Sequence, residues 1–425
     1  MSAAASATHF HTIIVGGGLA GLTVAENLGS GTLLLEKYGY FGGRATTYKD
    51  TEHGIQYEIG AGRINRDHAR VAALVRRFGL HTFPISTESD FVLAETPSAR
   101  IKNDFLTLFN PIARVLETLP AATLAKHTVA ELVPTEFHGI FPRYPYWAEL
   151  RLLRADLALA GFKPEAAHGT EAAYYGITEG IQELATHQAA AAASAGADCR
   201  LRYTVADVRP LPGTRSTTLF EVIGTYKLAG GKDVAKHPFV FTANRIILAT
   251  CRCSLSDFTV LRGTPLLKQV GTAALMRIYA TYPPAAATHK VWFHDLPKIV
   301  TDSPLRYVIP INAEKGLIMI SYTDGDDTKH WRVLEGTALK KEIQTHVKAL
   351  FPTKEIPEPT FLQKHDWTQG CSYWLPGNYD VAEASQAAHN PVPGVYVCGE
   401  SVSQTQTWME GALESAETLT KMLRH

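Results

Sequence analysis

The segment that most constrains this chain is "HTIIV" (11–15), followed by Gly16-Gly17-Gly18-Leu19-Ala20-Gly21 and then "LTVAENL" (22–28). The first run is apolar and short, as in a buried parallel strand, and the last has helical spacing. Between them stands G-x-G-x-x-G. Its glycines allow a tight turn and let the backbone approach a pyrophosphate. The unpaired N–H groups and partial positive charge at the helix start would attract that group. The fold class that follows is α/β, with a Rossmann-like unit at the front of the chain.

Three further features stand behind this one. A second apolar strand, "TLLLEK" (32–37), carries Glu36, where an acid accepts hydrogen bonds from an adenosine ribose and disfavours a phosphorylated one. Next come Phe41-Gly42-Gly43-Arg44-Ala45, a second glycine pair followed by an arginine. Near the C-terminus "GVYVCGE" ends another buried strand in Gly399-Glu400.

In this order the motifs resemble the flavin amine oxidase superfamily of monoamine, polyamine and L-amino acid oxidases, and they agree best with the L-amino acid oxidases. The segment "WMEGALESAETL" (408–419) matches the family's final flavin-binding helix. The resemblance implies FAD, held without a covalent bond, in a discontinuous Rossmann-like domain at 9–80, 176–262 and 384–425. An α+β substrate-binding domain at 81–175 and 263–383 is inserted into it. The implied cofactor contacts are Gly16, Gly18, Leu19, Ala20, Gly21, Glu36 and Lys37, then Gly42, Gly43 and Arg44. Gly60, Ala61, Gly62 and Arg63 follow, with Val205 against the adenine, and Gly399, Glu400, Trp408, Met409 and Ala412 close the set. Arg44 is expected near the pyrophosphate and Glu400 near the ribityl–phosphate region.

The stretch "EIGAGRI" (58–64) sets an arginine among small and apolar residues, which is costly unless an anion meets it. The anion is a carboxylate of the protein, with Glu58 or Asp67 at hand, or a phosphate, or the carboxylate of a substrate. "IGAGRI" and "RFGL" (77–80) resemble a segment of L-amino acid oxidases whose arginine pairs with the substrate's α-carboxylate. That makes Arg63 the candidate clamp, since guanidinium meets a carboxylate with a rigid two-pronged fork and keeps its charge.

The same resemblance gives Trp408 a backbone carbonyl for the substrate amine, the alternative being plain core packing. "WTQGCSYWLPG" (367–377) resembles the segment that walls the amine, with Tyr373 and Trp374 as the expected walls. The tyrosine falls one place later than the usual pattern. Cys371 follows a glycine much as the flavin-linked cysteine of monoamine oxidases does, so a thioether is conceivable. Aligning "GTAALMRIYATY" (271–282) puts Arg277 where the family has a lysine beside flavin N5. An arginine orders water or meets an anion there, or is structural, but does not relay protons.

The implied reaction takes a hydride from Cα of a neutral amine. The imine then hydrolyses to a 2-oxo acid and ammonia, and dioxygen becomes hydrogen peroxide. Three alternatives stand beside it: an oxidase of simple amines or polyamines, a flavin desaturase or protoporphyrinogen-oxidase-like enzyme, and a flavin-binding protein without turnover.

Composition narrows the partners. The 425 residues suit two or three domains. Lys+Arg equals Asp+Glu at 41 each, so no basic excess points to nucleic acid or an anionic membrane. A signal-peptide pattern and a membrane-spanning run are both missing from the sequence, which makes the cytoplasm the expected compartment. The 5 cysteines are scattered, and Cys251 and Cys253 lack partners at zinc spacing. The alanine run at 189–193 reads as a scaffold helix, and "DGDD" (324–327) as a solvated turn, the alternative being that Asp324, Asp326 and Asp327 meet a basic side chain. The expected partners are a small amine or amino acid and dioxygen. Oligomeric state is not legible, and a homodimer is compatible with the sequence.

Overall fold

The protein, seen in a computed structural model, is described over residues 8–103, 105–144, 146–167, 174–211, 219–228 and 235–424. Strand β1 (Thr8–Val15) turns through the glycines into helix α1 (Leu19–Leu28). Strand β2 (Thr32–Glu36) then returns parallel to β1, with Ile13 opposite Leu33. Beyond α2 (Ala69–Arg77) and α3 (Gln182–Ser194), β3 (Asp198–Leu201) extends the sheet outside β2. A meander of β4 (Tyr203–Leu211), β5 (Leu219–Tyr226) and β6 (His237–Leu248) follows, and β6 lies parallel to β1.

Along the central strands consecutive residues serve two different cores. Ile13, Leu33 and Ile246 belong to one cluster, with Phe220 and Trp374. Ile14, Leu34 and Ile247 belong to the other, under Leu22 of α1 and Ala185 and Ala192 of α3. A strand buried on both faces has no polar alternation, which is why these segments read as unbroken apolar runs. The alanine run is explained in the same way, since small side chains let α3 lie close to α1.

A second sheet is largely antiparallel. Its strands β7 (Val270–Thr281), β8 (Leu317–Asp324) and β9 (Phe361–Trp374) lie side by side, with β7 in the middle. Residues 307–312, 298–301, 89–92 and 100–102 complete the seven strands. The chain then returns to the first sheet as β10 (Val395–Val397), parallel to β6, and ends in α4 (Met409–Arg424). Among the described residues no helix is long and apolar enough to cross a membrane.

Gly176 sits in a strand, Tyr174–Ile177, against the ring of Phe83. That strand pairs with 82–85 and with 64–65, so a small sheet spans the expected divisions at 80/81 and 175/176. The segment after 81 begins with strands at 82–85, 89–92 and 100–102, and helices start only at Phe105. Strand β6 reaches back to His237, well before the apolar "RIILAT", because its first half pairs with β5 and alternates burial.

The G-x-G-x-x-G turn is held by contacts that only glycine permits. Gly16 has φ of +110°, and a Cβ there would lie 2.5 Å from the Ala249 carbonyl oxygen. At Gly21 a Cβ would fall 2.0 Å from the Gly16 carbonyl oxygen, so this glycine seats α1 against the turn. Gly21→Ala is expected to cost about 3 kcal/mol by overpacking backbone against backbone. Urea denaturation of the two proteins checks this, and an unchanged midpoint would contradict it.

Candidate active site

A cavity of about 430 Å³ opens where the ends of β1 and β2 face β7, β8 and β9 of the second sheet. One end is lined by the glycine turn, by Glu36, Lys37 and Tyr38, and by Tyr203, Thr204 and Val205. Glu36 accepts hydrogen bonds from Gly17 N at 2.7 Å and Tyr38 N at 2.8 Å. Burial pushes its carboxyl up against the pull of those N–H groups.

The middle of the wall is an ion pair. Arg44 Nη1 meets Glu400 Oε1 at 2.5 Å and donates to the Gly370 carbonyl at 3.0 Å. Glu400 also accepts from the Ser372 hydroxyl at 2.8 Å and from Thr407 N at 3.2 Å. Thr407 holds φ at +71° without being glycine, a conformation that marks the turn into α4 as strained. Arg44 and Glu400 therefore face each other, and four chain segments converge on them.

At the far end stands Arg63. Its Nη2 donates to the Tyr146 hydroxyl at 2.8 Å. Its guanidinium carbon lies 4.2 Å from the ring centre of Tyr174, 5.3 Å from Trp408 and 5.6 Å from Tyr146. Aromatic faces of this kind offset part of the cost of removing the cation from water. Glu58, one of the two carboxylates considered for Arg63, accepts from Thr47 Oγ1 at 2.8 Å and Ile181 N at 2.9 Å.

Remote contacts fix the relation between Arg63 and Trp408. His68 packs edge-on against Trp408, 4.8 Å between ring centres, and burial lowers its pKa to about 4. Helix α2 has no cap from its own N-terminal side chain. Instead Glu410 of α4 accepts from Arg70 N and Val71 N, each at 3.1 Å. This carboxylate at a helix N-terminus ties the segment after Arg63 to the helix after Trp408.

Arg277 lines the cavity as well. Its Nη1 donates to the Glu58 carbonyl at 2.8 Å, beside the Tyr279 hydroxyl, which donates to the same oxygen at 2.6 Å. Its guanidinium lies 5.1 Å from the Tyr322 ring centre and close enough to Gly62 that a Cβ there would sit 3.0 Å from Nη1. Burial raises the nearby Glu58 carboxyl to about 7, against the Ile181 N–H, the Thr47 hydroxyl and the Arg277 charge.

Of the expected site residues, Gly21 and Trp374 are not on the wall. Gly21 packs inside the turn. Trp374 is fully buried, donating its Nε1 to the Ser403 carbonyl at 2.9 Å. Neighbouring residues of a strand point to opposite faces, so Tyr373 on the wall sends Trp374 into the core. Cys371 is on the wall, and burial, reinforced by the Glu400 carboxylate, pushes its thiol up to about 12. The solvated-turn reading fails at Asp324, the last residue of β8. This residue is buried and accepts from Trp147 N at 2.7 Å and Ala148 N at 3.0 Å. Burial raises its carboxyl to about 7 against those two bonds. Asp326 stays exposed, while Asp327 meets Arg306 at 3.0 Å.

Tyr146, Glu149 and Tyr322 reach the wall without having been expected there, and so does Asp324, read above as part of a turn. Tyr146 and Glu149 come from a loop and short helix that no spacing links to the flavin motifs. The strand-like run of β8 was the one signal available for Tyr322 and Asp324.

With this geometry in hand, comparison with known proteins gives a consistent result. A family described as flavin containing amine oxidoreductase matches residues 19–160 and 146–419. The L-amino acid oxidase Lm29 of Lachesis muta is 22% identical over 96% of this chain and 86% of its own length. An L-amino-acid oxidase of Siganus canaliculatus is 23% identical over 96% and 84%. Among solved structures, cyclohexylamine oxidase from Brevibacterium oxydans superposes with a TM-score of 0.72 at 16% identity, covering 98% of this chain and 100% of that one. Wild-type putrescine oxidase bound to putrescine gives 0.70 at 16%, covering 98% and 99%.

Two outcomes follow from the wall. Glu400→Ala leaves Arg44 without its carboxylate and should cost about 3 kcal/mol in unfolding free energy, against about 1 kcal/mol for Glu400→Gln, which keeps an acceptor. The second concerns pH. The folded protein holds the Glu58 proton up to about pH 7, whereas the unfolded chain loses it near pH 4.5. The folded state thus loses stability from this group as pH rises through that window. Glu58→Gln should be more stable than the parent at pH 7.5 and show no such gain at pH ~4.5, as urea titrations at the two pH values would reveal.

Proposed function

The chain belongs to the flavin containing amine oxidoreductase family, and from that premise we propose that it binds FAD and oxidises the Cα–N bond of an L-amino acid, with dioxygen as the electron acceptor. The observation that carries the substrate class is Arg63, a permanent cation at the cavity wall set among three aromatic rings. The full-length likeness to proteins named L-amino acid oxidase supports the same reading.

The wall fits a dinucleotide. A Cβ on Gly18 or Gly43 would find its nearest neighbour 3.8 Å away, and one on Gly399 would meet nothing within 4 Å, so backbone faces open space at three places. The buried Thr250 hydroxyl on this wall has no hydrogen-bond partner among the described residues. In this reading the start of α1 receives the pyrophosphate, Glu36 accepts from the ribose with its remaining lone pairs, and Arg44 and Glu400 border the flavin. The protonated Cys371 thiol favours non-covalent attachment. When bound, FAD supplies the acceptor for the hydride that leaves Cα.

The chain's own residues supply orientation. Arg63 grips the carboxylate, the Trp408 carbonyl accepts a hydrogen bond from the amine, and Tyr373 bounds the amine on one side. Holding Cα–H in line contributes several kcal/mol towards the barrier. A cavity that excludes water lowers the pKa of the substrate ammonium, as catalysis requires a neutral amine. Arg277, held by the Glu58 carbonyl, orders water or a second anionic group there and does not shuttle protons.

One observation favours a second reading, an oxidase of amines that carry a further cation. Glu149 and Asp324 place two carboxyl groups on the same wall, and the fold neighbours include a putrescine oxidase. Peroxide release from each amino acid and from its decarboxylated amine separates the readings. Arg63→Ala should lower kcat/KM for the best amino acid by about 3–5 kcal/mol, with Arg63→Lys in between. A loss below about tenfold, or equal use of the decarboxylated amine, would overturn the amino acid assignment.

A further inference from the structure

Away from the cavity, three side chains converge on one point. His330 comes from the helix Thr328–Arg332, and Glu342 and His346 from the helix Gly336–Leu350. The Nε2 atoms of His330 and His346 each lie 3.1 Å from the same oxygen, Oε1 of Glu342. All three ligand atoms fall within 4.8 Å of one another. We propose that His330, Glu342 and His346 bind a divalent transition-metal ion, with zinc the best match, and so pin the two helices together.

The geometry agrees with such a centre. With metal–nitrogen and metal–oxygen bonds of about 2.0–2.1 Å, two ligands of a tetrahedral site stand about 3.3 Å apart. Two edges of the triangle are already close to that length. A rotation of a partly exposed imidazole suffices for the third.

The ligands are also preorganised. Glu342 and His346 stand one turn apart on the same face of a helix. The adjoining face of that helix is buried through Leu339, Ile343 and Val347. His330 adjoins Trp331, which is fully buried and donates its Nε1 to the Pro304 carbonyl at 2.8 Å. The His330 ring stands edge-on to Trp331, 4.6 Å between centres, and His346 lies 5.9 Å from the same ring. Backbone movement at any of the three positions would therefore disturb the core. Two imidazoles and one carboxylate select a borderline ion over the hard cations magnesium and calcium, which prefer oxygen alone. The one remaining coordination position would take a water. The helix carrying His330 begins four residues after Asp324, so the metal would brace the strand end that forms part of the cavity wall.

The test uses the full chain in its flavin-loaded form, freed of metal with a chelator and desalted. Calorimetric titration with zinc chloride should give one saturable site per chain, and zinc should raise the melting temperature by several degrees. The double variant His330→Asn/His346→Asn should bind zinc at that site at least about 100-fold more weakly and lose the rise in melting temperature. Glu342→Gln should weaken binding about tenfold and provides a second variant should the double one fold poorly. With 17 histidines in the chain, adventitious binding is the rival. Equal zinc affinity in the parent and both variants, or no saturable site in the parent, would overturn the proposal. So would magnesium competing with zinc at comparable concentration.

Discussion

The pairing of Arg44 with Glu400 is the contact around which the cavity is assembled. It joins the glycine-rich segment after β2 to the chain leaving β10, and through Gly370 and Ser372 it also takes hold of β9. A buried ion pair is worth little as stability when measured against an apolar replacement, because desolvation cancels most of the attraction. Its value here is positional. Glu400 is buried and Arg44 only half-buried, so it is the carboxylate alone that would be costly, and its need for a partner draws the two segments together. The bond from Thr407 N to the same carboxylate extends that obligation to the strained turn before α4, and so to Trp408.

The second fixed charge is Arg63, and its setting differs. The first guanidinium meets a carboxylate, and around the second stand three aromatic rings and a tyrosine hydroxyl. Rings lower the cost of burying a cation. In the proposed reading the acid group of a substrate would meet this guanidinium, which lines the cavity. The opposing carboxyl groups Glu149 and Asp324 lie on the same wall, and Asp324 is held by two N–H groups at the start of a short helix. A molecule with an acid at one place and a cationic group at another would satisfy both.

Much of this was legible in the sequence, for physical reasons that differ by residue. The flavin half was readable because close backbone approach admits only glycine: Gly16 and Gly21 sit within contact distance of other backbone atoms. Burial of β1, β2 and β6 on both faces left apolar runs that need no partner to be recognised. The far side of the cavity was less readable. Trp374 was misplaced because aromatic character does not reveal which face of β9 a residue occupies, and one position decides between wall and core. Asp324 was hidden in a polar run, although the strand that leads to it is buried along almost its whole length. Tyr146 and Glu149 reach the wall through tertiary contacts that no local pattern encodes.

In the proposed reading the cavity holds a flavin whose redox edge faces a site selective for amino acids. The most direct measurement is the visible absorbance of the protein, reconstituted with FAD and titrated without oxygen. A yellow protein that bleaches with an L-amino acid, and far more slowly with the corresponding decarboxylated amine, is the predicted result. A protein that stays colourless after reconstitution, or bleaches equally fast with both, would contradict the account.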